Sequence, residues 1–385
     1  MAKKRFSPLS NPFPLIGYNG PLYFCDREKE LDKLMEAINN GRNVSLIARR
    51  RLGKSALLEH LIHTLNQKSS WTIIYIDLIK TSSMQELYKI LAQSIYESRS
   101  KGFLSKISEG EIMGRLRITL SVNPITQLPD ITIDLKEGQV NQSITSLLNW
   151  LASNKRTLIV FDEFQQILSY QDKNIEGFLR SEMMRLPNIR FIFSGSDQHI
   201  LEDMFRSPSR PFYNSTQNLP LLPIDAIAYK KFISNHFKKS KRTISTEALD
   251  FILFVSDGET FAVQKICNAI YSSGIATITL PIAKEIFARV LDEQQTYYER
   301  IRALLGANSV QFALLRAISR SGEVSEITGA EFMKAHQFSN SSSIFKAIRS
   351  LEGYQLVSKK VNAEGKMAYF INDALFKSWL NTLPN

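Results

Sequence analysis

The sequence predicts an α/β core on a mostly parallel sheet, then a helical region, then a small module of helices and one hairpin. Three observations carry this. Short apolar runs alternate with helically spaced segments from Asn43 to Ser196, and such alternation implies parallel strands with helices on both faces. From Ile224 to about Glu299 the apolar spacing is helical only. From Val310 three amphipathic stretches precede two short apolar runs. The 385 residues suit two or three domains, and the boundaries are expected at 1–222, 223–295 and 296–385.

Taken in order, Asn11 to Gly20 holds two prolines and two glycines and reads as an irregular lead-in. Arg27 to Asn39 has helical spacing through Leu31, Leu34, Met35 and Ile38, with Asp26 as its cap. Asn43 to Ile47 is a short strand, and Leu57, Leu58, Leu61 and Ile62 mark the helix that follows. Trp71 to Leu78 and Met84 to Tyr96 are a second strand and helix. Leu116 to Leu135 alternates around Pro124 and Pro129, the pattern of an inserted hairpin. Leu147 to Leu151 lies in a helix, Thr157 to Phe161 is a buried strand ending in Asp162-Glu163, and Phe191 to Phe193 is a strand ending at Ser194-Gly195-Ser196.

Composition narrows the function. Hydrophobic residues are 44% and charged residues 22%, enough for real cores and against disorder. A net charge of +11 favours an anionic partner without choosing among nucleotide, nucleic acid and acidic surface. Cys25 and Cys267 are too few for a disulfide framework. No apolar run approaches the roughly 20 residues of a membrane helix, and the basic start lacks the apolar stretch of a secretory signal. A cytoplasmic protein without membrane contact is expected.

The strongest chemical signal is Ala48-Arg49-Arg50-Arg51-Leu52-Gly53-Lys54-Ser55 between a strand and a helix. It matches the phosphate-binding loop pattern with Ala48 where the leading Gly would stand. Loop N–H groups and the helix N-terminus favour phosphate. Gly53 lets backbone approach it, Lys54 reaches the β- and γ-phosphates, and Ser55 offers its hydroxyl to Mg²⁺. The cofactor-binding set is thus Ala48 through Ala56. The competing reading is a basic turn before a helix, and Arg49, Arg50 and Arg51 equally suit solvent. The strand ending in Asp162 and Glu163 supplies the other half: Asp162 for Mg²⁺ and Glu163 to polarise water, against the plainer role of capping the next helix. Ser194 fits a γ-phosphate sensor. No Asn-Lys-x-Asp follows the acid pair, since Asn154-Lys155 precedes it and lacks the Asp. ATP is therefore favoured over GTP.

With Tyr23-Phe24-Cys25-Asp26-Arg27-Glu28, the loop, Ile159 to Gln165, Phe193 to Ser196 and the close Ala368 to Trp379, the chain resembles the archaeal-type ATPases. These form part of the STAND branch of AAA+-related signalling ATPases, and Asn11-Pro12-Phe13-Pro14 with Gly17-Tyr18 resembles a Bacteroidetes-type variant. The resemblance implies that Asp26, Arg27 and Glu28 lie near adenine and ribose. It also implies ATP and Mg²⁺ bound between core and helical lid, with slow or partner-stimulated hydrolysis and nucleotide-dependent self-association. Gly258-Glu259-Thr260 stands in place of the family's Gly-x-Pro turn. Arg206 and Arg210 follow the sensor strand, while Pro211 to Ser215 lacks the family's Arg.

In the last module, Val310 to Ile318, Thr328 to Ala335 (capped by Thr328) and a helix from Ser339 precede a hairpin of Val357–Val361 and Met367–Ile371 around Asn362-Ala363-Glu364-Gly365. This is the order of a winged helix-turn-helix. Ser342, Lys346 and Arg349 share the third helix's exposed face, and Lys359, Lys360 and Lys366 lie on the wing, a set that can grip DNA phosphates. Yet the module from Thr296 carries 11 basic and 7 acidic residues, a modest excess, and a protein-contact role stays open. The runs Lys230-Lys231 and Lys238 to Arg242 read as a solvated helix face. The expectation is an ATP-hydrolysing molecular switch. Its rivals are a nucleotide-tuned DNA-binding regulator and a weakly catalytic ATP-binding scaffold with a protein partner.

Overall fold

The structure is a computed structural model, and it describes residues 6–68, 71–98, 118–122, 129–133, 138–153, 156–172, 174–362 and 364–384. Asn154-Lys155, Ala363 and the residues flanking the inserted strands lie outside these. The chain divides into two compact units, one of residues up to Ser7 with Tyr18–Leu222, the other of Pro8–Gly17 with Pro223–Asn385.

In the first unit, α1 (Glu28–Asn39) leads into β1 (Val44–Ala48), α2 (Lys54–Lys68), β2 (Thr72–Asp77) and α3 (Met84–Ser98). Strands β3 (Ile118–Val122) and β4 (Pro129–Ile133) pair antiparallel, as the alternation predicts. Next come α4 (Val140–Ala152), β5 (Thr157–Asp162), α5 (Ile175–Arg185), β6 (Ile189–Gly195), α6 (Gln198–Arg206) and β7 (Gln217–Leu221). The five-stranded sheet runs β2-β5-β6-β1-β7, and every neighbouring pair in it is parallel. A parallel sheet covered on both faces needs apolar residues at successive positions, and β1 and β5 are buried throughout.

Alternate strand residues feed two cores. Leu46, Leu158 and Val160 pack with Leu34, Leu57 and Leu61 from α1 and α2. Ile47, Ile159, Phe161 and Phe193 pack with α3, α4 and α6 on the other face. Phe164 is fully buried there, with its ring centroid 4.5 Å from Phe193 and 5.4 Å from Phe212. Phe164→Ala is expected to cost about 3–5 kcal/mol of stability, through lost transfer and cavity energy. Chemical denaturation reads this as a lower midpoint.

The start of α1 differs from expectation. The cap of α1 is Arg27, not Asp26. Both residues are left-handed (φ +56° and +80°), and the cap position makes no side-chain cap bond. Arg27 is turned inward to serve another contact, described below. Strand β7 was not foreseen: its Gln217-Asn218 start is polar, and Pro220 lacks an N–H. As an edge strand pairing only with β1 in this sheet, it tolerates that proline.

The second unit has α7 (Ala226–Lys239), α8 (Thr246–Val255), α9 (Thr260–Ser272), α10 (Leu280–Asp292) and α11 (Gln295–Leu305). A two-residue parallel ladder joins β8 (Thr243–Ile244) to β9 (Thr277–Ile278). Then follow α12 (Val310–Ser321), α13 (Ala330–Ala335), α14 (Ser341–Gly353), the antiparallel pair β10 (Val357–Val361) and β11 (Met367–Ile371), and α15 (Ala374–Thr382). This is the expected winged helix with an added closing helix. The second helix starts later than Thr328: its cap is Gly329, without a side-chain bond. The third starts at Ser341 rather than Ser339, because Asn340 Oδ1 accepts from the N–H groups of Ser342 and Ser343. Among the described residues no helix is long and apolar enough to cross a membrane.

Candidate functional site

Strand β1 ends at Ala48, which is fully buried, pairs with Leu221 and is not among the residues of positive φ. Its methyl group therefore belongs to the core, and this backbone conformation does not require glycine. The next five residues turn the chain into α2, with Arg51 at φ +65° and Gly53 at φ +87°. Leu52 anchors the turn in the core at 3% exposure. The first helical bond at this end runs from Leu57 N–H to the Gly53 carbonyl, so the first-turn N–H groups lack helical acceptors.

Arg27 braces this loop from behind. Its guanidinium is 3% exposed, donates to the Leu52 carbonyl at 3.2 Å and pairs with Glu30 at 2.9 Å.

Facing the loop, β5 delivers Asp162, and Glu163 follows in the left-handed region at φ +52°. A non-glycine residue there stores of order 1–3 kcal/mol of strain. Lys54 Nζ lies 3.0 Å from Asp162 Oδ1 and 2.9 Å from Glu163 Oε1. Ser55 donates its hydroxyl to Asp162 Oδ2 at 3.1 Å, and Tyr75 donates to the same oxygen at 2.6 Å. Ser194, fully buried, donates to Asp162 Oδ1. Glu163 Oε2 accepts from Gln165 Nε2 at 2.6 Å and from the Ser196 hydroxyl at 2.9 Å. Arg50 Nε in turn donates to Ser196 Oγ at 3.3 Å.

These contacts set the charges. Burial alone would raise both carboxyl groups, but the Lys54 ammonium and the hydroxyl and amide donors hold Asp162 and Glu163 below the ordinary range. Burial, then the Asp162 carboxylate, pushes the Tyr75 phenol up, so it stays a donor. The result is a buried lysine shared by two carboxylates at the mouth of an N–H-lined turn. Ser55 and Asp162 offer hard oxygen donors of the kind Mg²⁺ takes, leaving the rest of its shell to water and phosphate. The residues present fit a magnesium-bound nucleotide.

Of the residues singled out in the sequence, Lys54, Ser55, Asp162, Glu163 and Ser194 converge directly, and Arg50 joins them through Ser196. Arg27 reaches the loop at Leu52. Arg49 is half-buried and Arg51 exposed. Arg210 is held by Glu176 at 2.9 Å and Asp203 at 2.8 Å, whereas Arg206 is exposed. Glu259, at 1% exposure, accepts from the Ala374 N–H at the start of α15. The sequence reasoning missed Tyr75, and gave no role to Gln165 or Ser196. Their available signal was a polar group at or near the end of a buried strand.

Gly195 has a specific requirement. A Cβ there would sit 2.0 Å from Gln165 Oε1 and 2.7 Å from Leu201 Cδ1. Gly195→Ala should lower stability by about 1–3 kcal/mol through overpacking and push Gln165 off Glu163. Thermal unfolding measures the first effect.

The family described as "ATPase domain predominantly from Archaea" matches residues 24–264, and the one described as "Probable winged helix domain" matches residues 296–382. A search of curated proteins finds no match. Among solved structures, the Walker-type ATPase PABY2304 of Pyrococcus abyssi is 19% identical with a TM-score of 0.64, covering 96% of this chain and 99% of its own. The ORC2 protein of Aeropyrum pernix, solved in ADPNP–ADP complexes, is 13% identical with a TM-score of 0.55 over 92% and 93% of the two chains. The A. pernix ORC1 protein in complex with DNA is 12% identical with a TM-score of 0.50 over 97% and 96%. At such identities the structural likeness concerns the fold, while the first family match spans more than half of the sequence. The chain belongs to the family of ATPase domains found predominantly in Archaea, and it ends in a winged helix.

Proposed function

We propose that this ATPase works as a nucleotide-set molecular switch inside the cell. The observation that carries the reading is Lys54 bridging Asp162 and Glu163 beside Ser55. Lys54 is positioned to exchange its carboxylate contacts for phosphate oxygens when ATP enters the turn, with the α2 N-terminus supplying N–H donors. Magnesium, when bound, neutralises charge on the phosphates, and Ser55 with Asp162 would hold it. Glu163, ionised, orients a water and takes its proton, and Ser194 reads the γ-phosphate from β6. Asp26 and the loop from Ala48 to Ala56 complete the nucleotide contacts, with Arg27 holding the loop at the Leu52 carbonyl.

Limited proteolysis of the full chain tests the switch. Different fragment patterns with Mg²⁺–ATP and Mg²⁺–ADP are expected. Identical patterns under saturating concentrations of both would contradict it.

For the winged helix, the charge pattern favours a protein partner over DNA. Each wing lysine meets a carboxylate: Lys359 at 3.0 Å from Glu352, Lys360 at 2.5 Å from Glu323, and Lys366 at 3.7 Å from Glu326. On α14, Lys346 and Arg349 are exposed beside Phe345, which is 50% exposed. Cations already paired contribute little to counterion release. The purified protein should bind duplex DNA only weakly, with Kd on the order of 10⁻⁵ M at physiological salt. Nanomolar, sequence-selective binding in a filter assay would establish the DNA-regulator alternative instead.

A further inference from the structure

The residues of the lead-in fold against the helical region in an unusually complete way. Phe13 is fully buried. Its ring centroid lies 5.6 Å from His236, 5.8 Å from Phe237, 6.0 Å from Tyr271 and 6.4 Å from Phe232. Asn11 Nδ2 donates to the Asn268 carbonyl at 3.0 Å and to Ser272 Oγ at 2.9 Å, while its Oδ1 accepts from Phe13 N–H at 3.1 Å. Asn268 Nδ2 closes the set by donating to the Phe13 carbonyl at 2.8 Å. Pro12 between them is buried and fixes the turn.

The seated part is short. Ser7 to Ser10 are exposed on one side, and Leu15, Ile16 and Gly17 on the other, with Ile16 at 88%. Residues on both flanks, up to Ser7 and from Tyr18, belong to the other unit. A three-residue motif held between exposed arms, with side chain and backbone both read, has the anatomy of a bound peptide rather than of a strand or helix in a core. Its asparagine makes the turn and donates twice, and its phenylalanine fills an aromatic box. These are the anchor and the polar orientation that make a recognition site.

We infer that the face formed by α7 and α9 is a peptide-binding slot for an Asn-Pro-Phe turn, filled in this chain by its own residues 11–13. The occupant makes the lead-in a releasable strap. Held in cis, the motif enjoys an effective concentration near millimolar, so a peptide affinity that is weak in solution suffices to keep the slot closed. Release frees the segment that runs into Tyr18 and the start of the ATPase core.

The test uses the full chain with Asn11→Ala and Phe13→Ala together, and a fluorescent peptide of residues 7–17. The variant should bind this peptide saturably, and at least tenfold more tightly than wild type, whose slot is already occupied. A peptide carrying Phe13→Ala should bind at least tenfold more weakly to the same variant. Equal binding by wild type and variant, or no preference for the peptide that keeps Phe13, overturns the inference. If the double variant does not fold, as judged by circular dichroism, the full chain with Phe13→Leu replaces it. The leucine seats less well and should let the peptide compete at lower concentration than in wild type. Failure of the peptide to compete there also overturns the slot.

Discussion

Lys54→Ala is expected to lose ATP binding, by at least about 2 kcal/mol or some thirtyfold in Kd, because a charge-assisted contact to phosphate disappears. Calorimetry checks it, and unchanged affinity would sink the phosphate-loop assignment. The substitution also acts before any nucleotide arrives. Lys54 is 6% exposed and pairs with two carboxylates, so its removal leaves buried charge without compensation, which costs of order 3–5 kcal/mol. Lys54→Met keeps most of the stem's volume and separates packing from charge. The pH dependence has a definite sign. Asp162 and Glu163 have folded values below their unfolded ones, so their contribution is present above about pH 4 and fades as pH falls through the folded values. The stability gap between wild type and Lys54→Met should therefore be widest near neutral pH and narrow in acid. A gap that grows in acid would contradict the charge arrangement.

Glu163→Gln should bind ATP and hydrolyse it about 10²–10⁴-fold more slowly, the usual span for a lost general base. The amide preserves shape and can still accept from Gln165 or Ser196, which contact the present Oε2, but it cannot accept the water's proton. Single-turnover phosphate release measures the effect. Wild-type turnover in this variant would return Glu163 to a structural role at the end of β5.

Much of this was legible because chemistry and burial coincide at strand ends. Strands β1 and β5 are buried throughout, so they stand out as largely apolar runs, with Asp162 closing β5, Glu163 next to it and Lys54 one five-residue turn beyond β1. Strand β7 was hidden by Pro220 and two amides, residues an edge tolerates. Helix α5 was hidden because Glu176 and Glu182 lie on its buried side, where Arg210 and Arg185 compensate them. Tyr75 reaches Asp162 only through the β2–β5 pairing, in which Asp77 stands opposite Asp162, and register cannot be read from local spacing. The cap at Asp26 failed for a tertiary reason: Arg27 is pulled inward to the Leu52 carbonyl. Counting the charges of the last module does not show which glutamates the fold sets against the wing lysines.

The most direct measurement is single-turnover release of phosphate from γ-labelled ATP by wild type, Lys54→Ala and Glu163→Gln, each with and without Mg²⁺. The arrangement of Lys54, Ser55, Asp162 and Glu163 predicts Mg²⁺-dependent release by wild type above the uncatalysed rate, lost in both variants. Release at the same rate by all three proteins would contradict it.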